Sequence, residues 1–402
     1  MIWETIALGD IFKVTSGGTP SRKRPEFYEN GNIHWVKTGD LHNKYVETAS
    51  EFITKEALDS SSTKLYPPGT VLIAMYGATI GACSILNIKA CTNQACAAFT
   101  PNDKVDSQYL YYLLKSKKDT FVRAGAGGAQ PNISATFLKQ FKIPLPALSV
   151  QKQIAKVLEK ADTLRGQCQK MEQELNTFAQ SVFLDMFGDP VKNPKGWEKR
   201  KIKDLVADFQ GGKSIAASEN QENSGLNRVL KISAVTWGEF KPEESKPLPN
   251  SYEPPNEHFV KANDLLFSRA NTTELVGATS LVFKTPNNIL LPDKLWRFVW
   301  HKDNAQSQVF MWQLLSNKGV RNELGKISTG SGGSMKNISK SKLYDFEVIY
   351  PEVALQLDYE AKFLKIREQL SAVYGLQKEH SDNFNSLMQR AFKGELNLKD
   401  VA

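Results

Sequence analysis

A chain of 402 residues, 41% of them apolar, can bury more than one core, so two or three domains are the starting expectation. No apolar run approaches the ~18 residues needed to cross a bilayer, and Met1-Ile2-Trp3-Glu4 lacks the basic start and apolar core of a signal peptide, so the expected compartment is the cytoplasm, with no membrane partner. Four cysteines, Cys83, Cys91, Cys96 and Cys168, fit a reducing compartment, and a formal charge of +8 with a pI near 9.0 permits a polyanionic partner without demanding one.

Taken in chain order, residues 1–148 read as a mixed globule. β-rich runs at Ile33 to Val36 and Val71 to Met75 are bounded by Gly, Pro, Asn or Asp. Ser107 to Lys118 has an amphipathic helical pattern. A Gly-rich loop from Gly125 to Gln130, a strand near Phe141 to Ile143 and Pro146 complete the segment. Residues 149–188 then carry apolar side chains at Val150, Ile154, Val157, Ala161, Leu164, Cys168, Met171, Leu175, Phe178 and Val182, alternating steps of four and three. That is a heptad seam. With no proline and only Gly166 inside, it predicts one helix of about 58 Å that another helix must cover. Asp189 to Gly196, rich in Pro and Gly, reads as a linker.

Residues 189–353 repeat the mixed pattern, with strands expected at Val229 to Ile232, Leu265 to Phe267 and Phe346 to Ile349 and a helix at Gln306 to Lys318. Residues 354–402 hold the second helical seam and a tail. Its apolar positions are Leu355, Tyr359, Ile366, Val373, Leu376 and Leu387, with His380 in step, while Lys362, Gln369 and Asn383 interrupt it. Phe363, Leu370 and Phe384 sit one place along.

The chain is written twice. At an offset of 194, Trp3-Glu4 recurs as Trp197-Glu198, Gly17-Gly18 as Gly211-Gly212 and Lys37 as Lys231. At an offset of 205, Asn132-Ile133-Ser134 recurs as Asn337-Ile338-Ser339, Pro146 as Pro351 and Gln151 as Gln356. The expected class is therefore α+β: two similar globules and two long antiparallel helices, related by a pseudo-twofold with the globules at opposite ends of a rod. Two similar surfaces at a fixed separation suit a ligand with matching symmetry, and duplex DNA with two half-sites is the commonest.

Catalytic motifs do not emerge. Gly211-Gly212-Lys213-Ser214 lacks the first glycine of a phosphate loop, since position 207 is Ala207, and its copy Gly17-Gly18-Thr19-Pro20 has no lysine. Cys83, Cys91 and Cys96 have only His34 and His42 nearby, and the second half has no cysteine at all, so buried strand residues are expected rather than a metal site. The five histidines form no recurring set with Ser or Asp. By contrast, cationic and hydrogen-bonding residues cluster on predicted loops, where they can neutralise phosphates or read base edges. The candidates for DNA contact are Arg22, Lys23, Arg24, Thr38, Tyr76, Thr79, Gly128, Gln130 and Asn132 in the first half, and Lys231, Ser233, Arg269, Asn271, Thr272, Ser334, Lys336 and Asn337 in the second.

Two globules starting Trp-Glu, Gly-rich loops leading into Asn-Ile-Ser, a proline before each long helix, and Phe187-Gly188 or Phe392-Lys393-Gly394 closing each helix resemble the specificity subunit of type I restriction-modification systems. The resemblance implies a subunit without catalysis or cofactor of its own. Each globule would be a target recognition domain reading one half of a bipartite duplex, and the helices would span the unread gap. It further implies two methyltransferase subunits holding S-adenosylmethionine, and restriction subunits using ATP and Mg. The competing expectation is a coiled-coil scaffold that grips other proteins without reading DNA.

Overall fold

The computed structural model describes residues 3–125, 132–213, 224–303, 305–330 and 335–397. It divides into two compact units, one made of Met1–Lys170 with Val373–Ala402 and the other of Met171–Ala372. Each combines helix and sheet.

In the first unit a five-stranded sheet has the order Thr15–Ser16, Cys96–Phe99, Val71–Ala74, Cys83–Leu86, Tyr45–Val46. All four residues of Val71–Ala74 are buried, as a run apolar on both faces requires. The Ser107–Ser116 helix, capped by Asp106 accepting from the Gln108 and Tyr109 amides, covers the sheet with Tyr109, Leu110, Leu113 and Leu114. A second sheet runs Glu51–Ile53, Ile33–Val36, Ala90–Thr92, Leu65–Tyr66. The main core also receives Ile154, Leu158 and Ala161 from the first long helix, Leu148–Phe187, and Phe384 and Ala391 from the second, Val353–Lys393.

The second unit has sheets ordered Val206–Gly211, Leu295–Trp300, Leu265–Ser268, Thr279–Leu281 and Ser245–Pro249, Ser224–Leu230, Ile289–Leu290. Its core takes Phe183 and Phe187 from the first long helix and Tyr359, Phe363, Ile366 and Leu370 from the second. The Phe187 ring lies 4.7 Å from that of Phe310.

Individual bonds recur between the units at the offsets found in the sequence. Thr5–Ala7 pairs antiparallel with Lys142–Pro144, and Lys199–Lys201 with Glu347–Ile349. Leu8 N donates to Phe141 O and Ile202 N to Phe346 O, each at 2.9 Å. Gln151 and Gln356, both fully buried, tie the starts of the two long helices to their own units. Gln151 Oε1 accepts from Asp106 N at 3.0 Å while its Nε2 donates to Pro146 O at 2.8 Å. Gln356 repeats this with Ser307 N at 3.1 Å and Pro351 O at 2.8 Å.

Three expectations need correction. The helix expected at Ser107 to Lys118 is two helices, Ser107–Ser116 and Lys118–Gly125, broken at Lys117. Its counterpart is likewise Gln308–Ser316 and Lys318–Ile327, because the Asn317 backbone leaves the helical conformation and its side chain caps the next helix by accepting from Gly319 N. The strand expected at Val229 to Ile232 is Ser224–Leu230, followed by a 3₁₀ turn at Ile232–Val235.

The third correction concerns the seams, and it is a matter of phase. On the first long helix Ile154, Ala161 and Cys168 are buried and Leu175 and Val182 half-buried, in line with the expected positions. The alternate positions lie one residue later than Val150, Val157, Leu164, Met171 and Phe178. They are Gln151, Leu158, Arg165, Glu172 and Ala179, whereas Leu164, Met171 and Phe178 are 37%, 44% and 54% exposed. On the second helix Tyr359, Ile366 and Val373 are buried and Leu387 half-buried, and the alternate positions are Gln356, Phe363, Leu370, Gln377 and Phe384. Leu355 is only half-buried and Leu376 is 43% exposed. Apolar residues occupy both candidate phases at Val150/Gln151, Val157/Leu158 and Phe178/Ala179, so hydrophobicity alone does not choose between them. Packing chooses the phase that fills each core. Arg165 is accommodated because its guanidinium bonds Asp162 at 2.5 Å and covers the Phe384 ring at 4.7 Å.

Candidate nucleic-acid interface

The Gly-Gly pairs at the ends of strands Thr15–Ser16 and Val206–Gly211 serve close packing. A Cβ on Gly17 would lie 1.8 Å from Thr92 O, and one on Gly212 1.7 Å from Leu291 O. Gly18 N donates to Thr92 O at 2.9 Å and Gly212 N to Pro292 O at 3.0 Å. The Gly18 and Gly212 amides thus bond backbone carbonyls within their own units and do not cradle a phosphate.

Beyond these pairs, each unit frames an open loop with the Asn-Ile-Ser segment. In the first unit Tyr76 bridges Asn132, Ile133 N donates to Met75 O at 2.9 Å, and Thr79 Oγ1 donates to Tyr76 O at 3.1 Å. Tyr76, Thr79 and Asn132 are therefore brought together, with Tyr76 43% exposed. In the second unit Ala270–Asn271 pairs with Lys336–Asn337, and Ile338 N donates to Arg269 O at 2.9 Å. Here Arg269, Asn271, Thr272, Lys336 and Asn337 converge.

The same frame carries different chemistry. Where the first unit has buried Met75, the second has Arg269, whose guanidinium donates to Asp293 O at 2.9 Å and Asn337 Oδ1 at 3.4 Å and lies 5.5 Å over the Trp296 ring. Lys340 reaches Asp208 at 2.7 Å and approaches the same ring. Lys336 Nζ donates to Gly330 O at 2.9 Å. Asn271 Oδ1 accepts from Thr272 N at 2.8 Å, which fixes the loop after Ala270–Asn271.

The other candidates fall into separate groups. Arg22 pairs with Glu51 at 2.6 Å and covers the Tyr28 ring at 4.2 Å; Lys37 meets the same carboxylate at 2.5 Å. Lys37, with help from Arg22, holds the Glu51 carboxyl below the usual carboxylate range. Arg24 is paired with Glu26 at 2.7 Å and Glu56 at 2.5 Å, while Lys23 is exposed. Thr38 starts the 3₁₀ turn Thr38–Asp40. In the second unit Lys231 and Ser233 meet on Glu244, at 3.6 and 2.8 Å. Gly128, Gln130 and Ser334 lie outside the described residues.

Sequence reasoning missed the acids that hold these cations, Glu51, Asp293 and Glu244, and one aromatic, Trp237, which is 65% exposed. The signal for Trp237 was a lone large aromatic in a polar turn ahead of a glycine. Among the described residues no three His, Cys, Asp or Glu are grouped as metal ligands, and no helix is long and apolar enough to cross a membrane.

Residues 2–176 match the family model described as the type I restriction modification DNA specificity domain. The chain is 34% identical over 167 residues to the EcoR124I/EcoR124II specificity subunit of Escherichia coli, a match spanning 40% of this chain and 41% of that protein. At 25% identity it aligns over 99% of its length with the MjaVIII specificity subunit of Methanocaldococcus jannaschii, covering 94% of it. A solved S subunit of a type I restriction-modification system from M. genitalium has a TM-score of 0.58, covers 97% of this chain and 96% of that one, and is 13% identical, so it speaks for the fold alone. The chain is thus similar to type I restriction enzyme specificity subunits, its family-model match lying in residues 2–176, and it spans about half the length or less of the EcoR124I/EcoR124II and MjaIX relatives it matches.

Proposed function

We propose that the chain is a DNA sequence-recognition subunit that binds a bipartite duplex, one half-site per unit, and positions methyltransferase and restriction subunits that hold S-adenosylmethionine, ATP and Mg. The observation that carries this reading is the duplicated loop frame. Equivalent backbone bonds, Ile133 N to Met75 O and Ile338 N to Arg269 O, hold loops whose side chains differ. A constant frame with variable side chains is what two different base sequences require of one architecture.

The helices support a spacer role. The first long helix enters the first unit's core through Ile154 and Leu158 and the second unit's through Phe183 and Phe187, and the second long helix contributes to the same two cores in the opposite order. This favours antiparallel pairing of the two helices. Leu164, Met171 and Phe178, left exposed along one helix, fit a face that a partner subunit covers.

The test is exchange of residues 1–148 for the equivalent segment of one of these relatives, with methylated positions mapped across a genome. One half of the motif changes and the other is retained. Change in both halves, or in neither, refutes the assignment. The scaffold alternative predicts no sequence-dependent, salt-sensitive DNA affinity even with the methyltransferase present.

A further inference from the structure

We infer that Trp237 is a base-stacking residue of the second unit, a contact that rests on the DNA-reading function proposed above. Of the seven tryptophans, six are buried or half-buried, and Trp237 alone is exposed, at 65%. Leaving so large an apolar ring in water forgoes the burial that the other six achieve.

The turn that carries it is built to hold the ring outward. Thr236 N donates to Ser233 O at 3.3 Å and Lys241 N to Ala234 O at 3.0 Å, closing the segment on both sides of the indole. Phe240, from the same turn, packs against the second unit's smaller core with Ile232, so one aromatic anchors the turn and the other projects. Gly238, next to the ring, takes φ +81, and a Cβ there would meet nothing within 4 Å, so the glycine serves the backbone's direction rather than packing.

The Lys241 ammonium lies 4.8 Å from the indole centroid, whereas Lys231 and Ser233, at the start of the same turn, are both engaged by Glu244. An aromatic plate with one ammonium over it matches a base displaced from the duplex stack with its phosphate alongside, and stacking on such a plate tolerates any base. At the offset of 194 the first unit has Asn43 in this place, so the contact belongs to one half-site only.

The experiment uses the full chain assembled with its methyltransferase, a cognate duplex found by methylation mapping, and duplexes scrambled in one half-site or the other. Trp237→Ala is expected to weaken cognate binding on the order of tenfold, and Trp237→Phe to restore it to within about threefold. Tryptophan emission should fall when wild type binds the duplex and fall less for Trp237→Ala. An unfolding midpoint within about 2 °C of wild type for Trp237→Ala shows that stability is not the cause. If wild type prefers the cognate duplex but Trp237→Ala binds it equally and emission is unchanged, the inference is overturned and DNA reading stands. Loss of methyltransferase capture with unchanged DNA affinity also overturns it, by placing a protein on the ring. If wild type does not distinguish cognate from scrambled duplex, the proposed function itself has failed.

Discussion

Arg297 shows how much of the second unit's precision rests on one buried cation. It sits on a central strand, 8% exposed, and bonds Asp264 at 2.9 Å, Gln210 Oε1 at 2.7 Å and Phe259 O at 3.0 Å, with Glu257 O also accepting. Burial raises the Asp264 carboxyl even with the guanidinium beside it. Arg297→Ala would leave that carboxyl buried and unpaired, and urea unfolding should show a loss of about 3 kcal/mol. Gln151→Ala removes an acceptor for Asp106 N and a donor to Pro146 O and Lys104 O, at an expected cost of about 1–3 kcal/mol by the same measurement. The cysteines make a third case. Burial pushes Cys83 and Cys96 up to about 12, from an ordinary value of 9.0. Both forms of the protein hold these protons below pH 9, so the thiols have no effect on stability there. Above pH 9 the unfolded thiols ionise while the folded ones do not, so stability falls as pH rises toward 12. In the native state at pH 8 these thiols should resist a maleimide that labels them after denaturation. At this scale the sequence named the reactive residue types but not their partners. Arg22 and Arg24 stood out as a basic run, yet besides the adjacent Glu26 the acids that engage them, Glu51 and Glu56, lie tens of residues away and become neighbours only through the fold.

The two long helices were the most legible elements, found at Leu148–Phe187 and Val353–Lys393 against expected starts at 149 and 354. Strands such as Ile33–Val36 were visible because short apolar runs between turn residues have few alternatives. Sheet order was not, since strands far apart in sequence, such as Trp35 and Cys91, pair through contacts no local pattern encodes. The heptad phase was also ambiguous for a physical reason: the helix is apolar over more than a seam's width. That excess separates two roles by experiment. Leu158→Ala should cost about 2–5 kcal/mol of stability, because Leu158 is fully buried. Phe178→Ser should leave the unfolding midpoint nearly unchanged while weakening methyltransferase capture in a pull-down, since its ring is 54% exposed. Unchanged capture would remove Phe178 from the proposed partner face.

At the scale of the molecule, the repeat predicted from Trp3-Glu4 and Trp197-Glu198 corresponds to matched bonds in the two units, but the units themselves are not two successive blocks of sequence. Lengthening both long helices by seven residues at matched positions should widen the unread gap in the methylated motif; an unchanged gap would count against the spacer role. The second unit is continuous, Met171–Ala372, whereas the first is completed by Val373–Ala402, which supplies Phe384 and Ala391 to its core. During synthesis the ribosome therefore releases every residue of the second unit before the first has received its last side chains. The first unit waits, incomplete, for a segment made after the whole of the second. A chain stopped at Ala372 would be expected to keep the second unit and lose the first, as limited proteolysis would show, which makes the pairing of these segments a checkpoint against incomplete chains.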